Sequence, residues 1–277
     1  MREPQSIFEL ILNIAKADER VRAVVLNGSR ANPAVPSDKY QDYDIVWLVK
    51  DLDVFTADHS WIDVFGKRLM LQMPEAMRNP SGKGHFNWMM LLSDGSRIDL
   101  TLIPISKLEL LGNDSLSVTL LDKDGILPPF PVPGDRDYID KPPSELFYMS
   151  CCNNFWWCLQ NVAKGIARGE LAYAMMMYHT VVLAELHDMI IWYIGTLTDF
   201  TAVSGKMGKY FKKYLPEKLY KQYCEAYSRA NPGEMRDSML KSCDLFHELA
   251  LKVAEYFGFT YMQGDEDGMR QYLKMLA

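Results

Sequence analysis

The sequence predicts an α+β protein, in which an N-terminal domain built on a mixed sheet with flanking helices precedes a C-terminal all-helical bundle. Three observations lead to this prediction. Short apolar runs of strand length are confined to the first half of the chain, apolar residues recur at helical spacing in the second half, and a proline-rich segment separates the two. We therefore expect domains at residues 1–133 and 134–277.

The N-terminal half predicts one helix and four strands. Apolar residues at helical spacing indicate an opening helix over residues 5–17. The first two strands are expected to be neighbours, and the last two to form a hairpin because an Asp-Gly turn separates them. The predicted strands cover residues 22–26, 43–49, 87–92 and 97–103.

The C-terminal half is predicted to be helical from end to end. Prolines are concentrated at residues 128–133, where they can continue neither a helix nor a central strand. Beyond them, apolar residues follow the i, i+3, i+4 pattern with few helix-breaking residues. The predicted helices cover residues 144–167, 170–196, 208–215, 217–230 and 235–257.

The composition limits the classes of function. Of the 277 residues, 48% are hydrophobic and 24% are charged, which excludes disordered and collagen-like chains and supplies enough apolar residues for two cores. The net charge of −6 argues against a protein that coats nucleic acid and suits one that binds cationic ligands. We expect no nucleic-acid partner.

Neither a membrane protein nor a secreted one is predicted. The most apolar stretch, residues 172–197, contains His179, Glu185, His187 and Asp188, which a bilayer would tolerate poorly. The N-terminus lacks the features of a signal peptide, and the five cysteines form no C-x-x-C pair, which indicates reduced thiols. We expect a cytoplasmic monomer or homodimer.

Three acidic residues mark a candidate metal site. Asp42 and Asp44 open the second strand and share one of its faces, because side chains two residues apart in a strand point the same way. If the strand that bears Asp99 lies alongside, three carboxylates converge, and their mutual repulsion favours a divalent cation. Mg²⁺ is the expected occupant because it prefers oxygen ligands and binds together with substrate phosphates.

The turn after the first strand is a candidate phosphate site. Gly28 would let backbone N–H groups approach phosphate oxygens, the Ser29 hydroxyl could donate one more hydrogen bond, and Arg30 could neutralise charge. Each residue alone has an ordinary structural explanation, as a turn, a cap or a solvated side chain. Together with the three acids they predict nucleotidyl transfer, in which an acceptor hydroxyl displaces pyrophosphate from a metal-bound triphosphate.

The sequence also resembles the aminoglycoside 6-adenylyltransferases, the streptomycin-modifying members of the nucleotidyltransferase superfamily. The resemblance covers nearly the whole chain. The Gly-Ser, Asp-x-Asp and third Asp are shared by the entire superfamily, and the longer motifs are more specific. These motifs are Gly-Ser-Arg-Ala-Asn at 28–32, Gln-Asp-Tyr-Asp-Ile at 41–45, Ile-Asp-Leu-Thr-Leu-Ile-Pro at 98–104 and Cys-Cys-Asn at 151–153.

The resemblance implies a resistance enzyme that uses ATP and Mg²⁺ to transfer AMP to a hydroxyl of an aminoglycoside, most specifically position 6 of streptomycin. Asp42 and Asp44 would bind the metal. Asp99 would be either its third ligand or the base that accepts the hydroxyl proton, and Glu145 or Glu185 is an alternative base.

Lysines of the helical half are expected to contact the phosphates of ATP. Gly205 and Gly208 predict a compact turn around Lys206 and Lys209, and the resemblance implies that this segment reaches the triphosphate. The resemblance also favours Lys164 as a phosphate or pocket residue. The alternative for each lysine is a solvated helix face.

Acidic and aromatic residues of the helical half are expected to bind the cationic antibiotic. Glu185, Asp188 and Trp192 share a helix face within an apolar segment, where a buried carboxylate needs a partner. The guanidinium groups of streptomycin would pair with carboxylates and stack on aromatic rings. Trp156, on a polar and aromatic stripe, is assigned to the same pocket. The alternatives are internal pairing of the acids with His187 or a lysine, and a core position for Trp156.

Two positions depart from the family pattern. Asn154 stands where the pattern has Glu, and Asp188 stands where it has Arg. The residues therefore specify the nucleotide chemistry more closely than the acceptor. The competing hypotheses are a nucleotidyltransferase with another acceptor, such as a lincosamide or a protein hydroxyl, and a catalytically silent nucleotide-binding module or toxin–antitoxin partner.

Overall fold

The computed structural model of the chain describes residues 2–276. Contacts between residues divide it into two compact units, with the division between Asp137 and Tyr138. The first is called the N-terminal unit and the second the C-terminal unit. Strands are found in the N-terminal unit and long helices dominate the C-terminal one, so the predicted α+β class is confirmed.

A six-stranded mixed sheet forms the centre of the N-terminal unit, with the strand order β3-β4-β5-β2-β1-β6. Strands β2 and β5 are parallel, and every other neighbouring pair is antiparallel. The sequence missed β3 and β6, which are the two edge strands and bury less apolar surface. The strands are β1 (Val21–Asn27), β2 (Tyr43–Val49), β3 (Arg68–Gln72), β4 (Phe86–Leu92), β5 (Arg97–Pro104) and β6 (Ser117–Asp122).

The central strands of this sheet are buried on both faces. Helix α1 (Pro4–Ala17) lays Ile7 and Ile11 on one face, in the same apolar cluster as Trp47. The opposite face of the same strands contributes Val25 and Leu48 to a smaller cluster. Burial on both sides explains the continuous apolar runs of β1 and β2. A short helix, α2 (Asp53–Thr56), follows β2.

Helices alone form the regular structure described in the C-terminal unit. The longest two begin at side-chain caps, since Ser144 accepts from the backbone of Phe147 and Asn231 accepts from Gly233 and Glu234. The sequence missed α9, which is rich in charged residues, and predicted α6 and α7 too long. The helices are α3 (Glu145–Ala167), α4 (Leu171–Met177), α5 (Leu183–Thr198), α6 (Phe211–Tyr214), α7 (Glu217–Glu225), α8 (Pro232–Phe257) and α9 (Gln263–Met275).

The core of the C-terminal unit lies between α3, α5 and α8. Phe155 on α3 stacks on Phe246 on α8 with their ring centroids 3.8 Å apart. Helices α4 and α5 are joined by one turn of π-helix, Tyr178–Val182. The Tyr178 hydroxyl donates to the carbonyl oxygen of Ala226 at 2.6 Å. This contact anchors the α4–α5 junction inside the bundle.

Within residues 2–276, one continuous helical segment, Leu171–Thr198, is long and apolar enough to cross a bilayer if length and composition alone are considered. Half of its most apolar window is buried inside the protein. Such burial is typical of a core helix in a helical bundle, and it agrees with the prediction of a buried helix.

Candidate active site

The three predicted acidic residues lie together at one end of β2 and β5. Because these strands are parallel and neighbours, Asp44 lies directly opposite Asp99. Asp42 immediately precedes β2 and approaches the same guanidinium group as Asp99. The prediction that the strand bearing Asp99 runs beside the Asp-x-Asp strand is confirmed.

An arginine that the sequence interpretation missed lies among these carboxylates. The Nε and Nη2 atoms of Arg97 donate to the two carboxylate oxygens of Asp99, at 2.8 and 2.6 Å. Its Nη1 atom lies 3.2 Å from an oxygen of Asp42. The signal was present in the sequence, because Arg97 precedes Asp99 by two residues on a strand and so shares its face.

Asp44 occupies the most confined position of the three. Gly28 has a φ angle of +72°, and a Cβ atom there would clash with the Asp44 carboxylate, so this turn requires glycine. The Asp44 carboxylate makes no hydrogen bond or ion pair with any described residue. Burial raises the pKa of its carboxyl to about 6, and the negative charges of Asp99 and Asp42 contribute to the rise.

The predicted phosphate-binding turn is a 3₁₀ turn, Gly28–Ala31. The Arg30 guanidinium donates to the carbonyl oxygens of Asp42, at 3.0 Å, and of Gln41, at 2.8 Å. It also lies over the Tyr43 ring, 3.9 Å from the ring centroid. In this conformation Arg30 holds the segment that bears the Asp-x-Asp motif, whereas the Ser29 hydroxyl has no hydrogen bond to a described residue.

The donor chemistry of the acidic cluster fits a magnesium ion. Its carboxylates are hard oxygen donors, and Asp99 and Asp42 add to the rise that burial causes in the pKa of Asp44, a repulsion that a divalent cation would relieve. As the side chains stand, no group of three His, Cys, Asp or Glu residues within the described part of the chain is arranged to hold a metal ion. Arg97 supplies the positive charge in this arrangement.

A separate cavity of about 320 Å³ lies within the C-terminal unit. Glu185, Asp188 and Trp192 line it together, as the shared helix face predicted. Phe147 and Asn154 of α3 complete much of the wall. The cavity thus combines two carboxylates, an amide and two aromatic rings.

The two carboxylates of this cavity form no ion pair with a described residue. Glu185 accepts a hydrogen bond from the Asn154 side-chain amide at 2.6 Å. Asp188 is solvent-exposed, which corrects the expectation that both acids are buried, and Glu185 is half-buried. Partial desolvation raises the pKa of Asp188, and the charge of Glu185 adds to the rise. His187 instead contacts the Tyr223 hydroxyl at 2.9 Å, so it does not pair with either acid.

Two residues assigned to the acceptor lie outside this cavity. Trp156 is 1% exposed and its Nε1 atom donates to the Tyr261 hydroxyl at 3.0 Å. This is the core position that the sequence left as the alternative, because the stripe to which Trp156 belongs faces α9. Glu145 is exposed in the first turn of α3 and does not line the cavity.

The three lysines assigned to the phosphates have different surroundings. Lys164 bonds to the Gln160 side chain one turn earlier on α3. Lys206 and Lys209 are exposed on and next to a short turn in which Gly205 and Gly208 have φ angles of +78° and +76°. The compact turn that the glycines predict is therefore present, whereas the role of these lysines stays a prediction.

Comparison with known proteins gives matches along nearly the whole chain. A family model described as streptomycin adenylyltransferase matches residues 1–276. The aminoglycoside 6-adenylyltransferase of Campylobacter jejuni is 38% identical over 268 residues, which cover 96% of this chain and 93% of that protein. The enzyme of the same name from Bacillus subtilis strain 168 is 36% identical over 276 residues, covering 98% and 97%.

A solved structure is also similar. The crystal structure of an aminoglycoside 6-adenyltransferase from Bacillus subtilis is 32% identical to this chain, with a TM-score of 0.49, and the match covers 100% of this chain and 99% of that one.

Proposed function

The chain belongs to the streptomycin adenylyltransferase family, whose members are nucleotidyltransferases, and we propose that it transfers AMP from ATP to a hydroxyl of streptomycin, at position 6, with Mg²⁺. The observation that supports this proposal most directly is the convergence of Asp42, Asp44 and Asp99 beside the Gly28 turn. In the cytoplasm, where ATP is available, this reaction would give resistance to the antibiotic.

The nucleotide chemistry is assigned to the N-terminal unit. Asp42 and Asp44 would hold the magnesium ion, with Asp99 as the third ligand, and the bound ion would neutralise charge on the triphosphate. Gly28 and Ser29 would face a phosphate group, because glycine allows close approach and the Ser29 hydroxyl is available as a donor. Lys206 and Lys209 of the C-terminal unit are proposed as further triphosphate contacts.

The transfer itself replaces the phosphoanhydride bond between the α- and β-phosphates of ATP with a phosphoester bond to the acceptor. The acceptor oxygen forms a bond to the α-phosphorus of ATP, the bond to the bridging oxygen breaks, and pyrophosphate leaves with the electron pair. The hydroxyl proton passes to a carboxylate, for which Asp99 and Glu185 are the candidates. Arg97 donates to both carboxylate oxygens of Asp99, so a proton could reach either oxygen only where Arg97 leaves room for it.

The acceptor is assigned to the cavity in the C-terminal unit. Glu185 and Asp188 supply negative charge that no described residue neutralises, and Trp192 supplies an aromatic face. A guanidinium group satisfies both features, because it forms forked hydrogen bonds with carboxylates and stacks on aromatic rings. Streptomycin carries such groups, so the negative charge and the aromatic face of the cavity suit this antibiotic.

Pyrophosphate release with ATP and Mg²⁺, measured across a panel of aminoglycosides and a lincosamide, tests the proposal. We expect streptomycin to be the preferred acceptor and the product to carry AMP at position 6. Release with a different antibiotic only would keep the nucleotidyltransferase activity and overturn the assigned acceptor. Nucleotide binding without release in the presence of any of these acceptors would support the silent nucleotide-binding alternative.

A further inference from the structure

A single guanidinium group connects two of the three carboxylates in the acidic cluster. Arg97 forms a two-pronged contact with Asp99, in which both carboxylate oxygens accept, and a longer contact of 3.2 Å with Asp42. The Asp99 side chain is 18% exposed and that of Asp42 is 36% exposed. The contact with Asp99 is therefore the shorter and the better shielded of the two.

The charges around Arg97 leave the cluster short of positive charge. Arg97 contacts two of the three carboxylates and Arg30 adds positive charge nearby, whereas the Asp44 carboxylate has no hydrogen-bonded or ion-paired partner among the described residues. Like charges at such separations repel strongly in partly buried surroundings. Removal of Arg97 would therefore take away the guanidinium group that contacts both Asp99 and Asp42.

We propose that Arg97 is the resident counter-ion of this cluster and competes with the divalent cation for Asp42. This inference rests on the metal ligands of the proposed function. Arg97 keeps the metal-free cluster stable, and a cation that binds Asp42 must displace Nη1 from it. The Asp42 contact is the one that gives way because it is longer, is more exposed and involves a single donor, whereas the fork on Asp99 involves two.

This arrangement predicts that Arg97 weakens metal binding, in contrast to a residue that assembles a metal site. An assembling residue would lower the affinity when removed. Removal of a competing cation would raise the affinity, because the loss of Arg97 removes the Nη1 contact with Asp42 and makes the local potential more negative. The direction of the change in affinity therefore distinguishes the two roles.

Arg22 offers a matched control in the same unit. It also pairs with two carboxylates, those of Glu19 and Asp124, and these lie apart from the acidic cluster. Arg22→Gln and Arg97→Gln change the net charge of the protein by the same amount. Any difference in metal affinity between the two variants therefore comes from the contacts of Arg97 with the acidic cluster and not from the change in net charge.

The experiment measures binding of Mn²⁺ to the purified full chain by electron paramagnetic resonance, with and without ATP. We expect Arg97→Gln to lower the dissociation constant for Mn²⁺ about tenfold, and Arg97→Lys to lower it less, because lysine keeps the charge but cannot form the fork. Arg22→Gln should leave it unchanged. Arg97→Lys also provides the test if Arg97→Gln does not fold.

Thermal unfolding in EDTA supplies a readout independent of activity. We expect the melting temperature of Arg97→Gln to fall below that of Arg22→Gln and Mn²⁺ to recover the loss. Unchanged or weaker Mn²⁺ binding in both Arg97 variants, while the wild type binds Mn²⁺, would overturn the competition and leave the proposed function intact. Failure of every variant and the wild type to bind Mn²⁺, even with ATP, would overturn the proposed metal ligands as well.

Discussion

The molecule contains two acidic sites, and they differ in how their charge is balanced. In the N-terminal unit, Arg97 lies within hydrogen-bond distance of Asp99 and forms an ion pair with Asp42. In the C-terminal unit, the Glu185 carboxylate accepts a hydrogen bond from the neutral amide of Asn154, and neither Glu185 nor Asp188 has an ion-pair partner among the described residues. One site therefore contains its own cation and the other does not.

The two sites therefore differ in what an incoming cation meets. In the acidic cluster it would compete with Arg97, whereas in the cavity of the C-terminal unit it would meet carboxylates that form no ion pair with a described residue. Partial desolvation, together with the neighbouring charge of Glu185, disfavours the ionised form of Asp188 in the free protein, as its raised pKa indicates. A bound cation would remove that cost. The comparison agrees with the proposal that the cluster with Arg97 binds the metal and that the cavity with Glu185 binds the cationic antibiotic.

The largest expected effect comes from the N-terminal cluster. Asp42→Asn and Asp44→Asn each remove a proposed metal ligand while keeping the size of the side chain, so AMP transfer should fall by at least about 100-fold. Steady-state rates of pyrophosphate release at saturating Mg²⁺ measure the change. Asp124→Asn, which removes a carboxylate from the ion pair with Arg22, is the control. Retention of more than about a tenth of the activity would contradict the assignment of Asp42 or Asp44.

The acidic pair of the C-terminal unit should affect the antibiotic and leave the nucleotide unaffected. Glu185→Gln and Asp188→Asn should each raise the apparent KM for streptomycin about tenfold, the loss of one charge-assisted hydrogen bond. The increase in melting temperature caused by streptomycin should shrink in parallel. Asp237→Asn, an exposed carboxylate on α8, should change neither quantity. An undiminished thermal shift in both variants would separate this cavity from the acceptor.

The exposed lysines of the C-terminal unit test whether its positively charged side chains bind the nucleotide. Lys206→Met should raise the apparent KM for ATP by roughly fivefold, since one charged contact to a phosphate would be lost, and should leave that for streptomycin nearly unchanged. Lys218→Met, which removes a lysine paired with Glu248, is the matched control. Equal changes in the two KM values would indicate general destabilisation of the unit.

The smallest effect concerns the pH dependence of antibiotic binding. The pKa of Asp188 is raised above its usual value of 3.8, so protonation as the pH falls stabilises the free folded protein and removes charge that a cation needs. Guanidinium groups stay charged throughout. Lowering the pH from about 7 to about 5 should therefore reduce the streptomycin-induced shift in melting temperature. The reduction should be smaller in Asp188→Asn, and an identical reduction would assign the effect to another group.

Local sequence patterns predicted most of the strands and helices, but they missed the two edge strands of the sheet and one helix. The central strands were found because burial on both faces produces continuous apolar runs, whereas β3 and β6 lie at the edges of the sheet and lack such runs. Helix α9 was missed for a related reason. It presents few apolar residues, and it is joined to α8 by polar contacts such as the ion pair between Arg270 and Asp244 at 2.9 Å.

The sequence by itself determined that the N-terminal half forms a sheet, that the C-terminal half is helical, and that the acidic motif lies on a strand. Strand periodicity placed Asp42 and Asp44 on one face, and the requirement for glycine at Gly28 follows from a local turn. The tertiary structure alone decided that Arg97 bridges Asp42 to Asp99, that Trp156 is a core residue facing α9, and that Asn154 meets Glu185. These contacts join residues distant in sequence, so they depend on strand register and helix packing, which spacing along the chain does not encode.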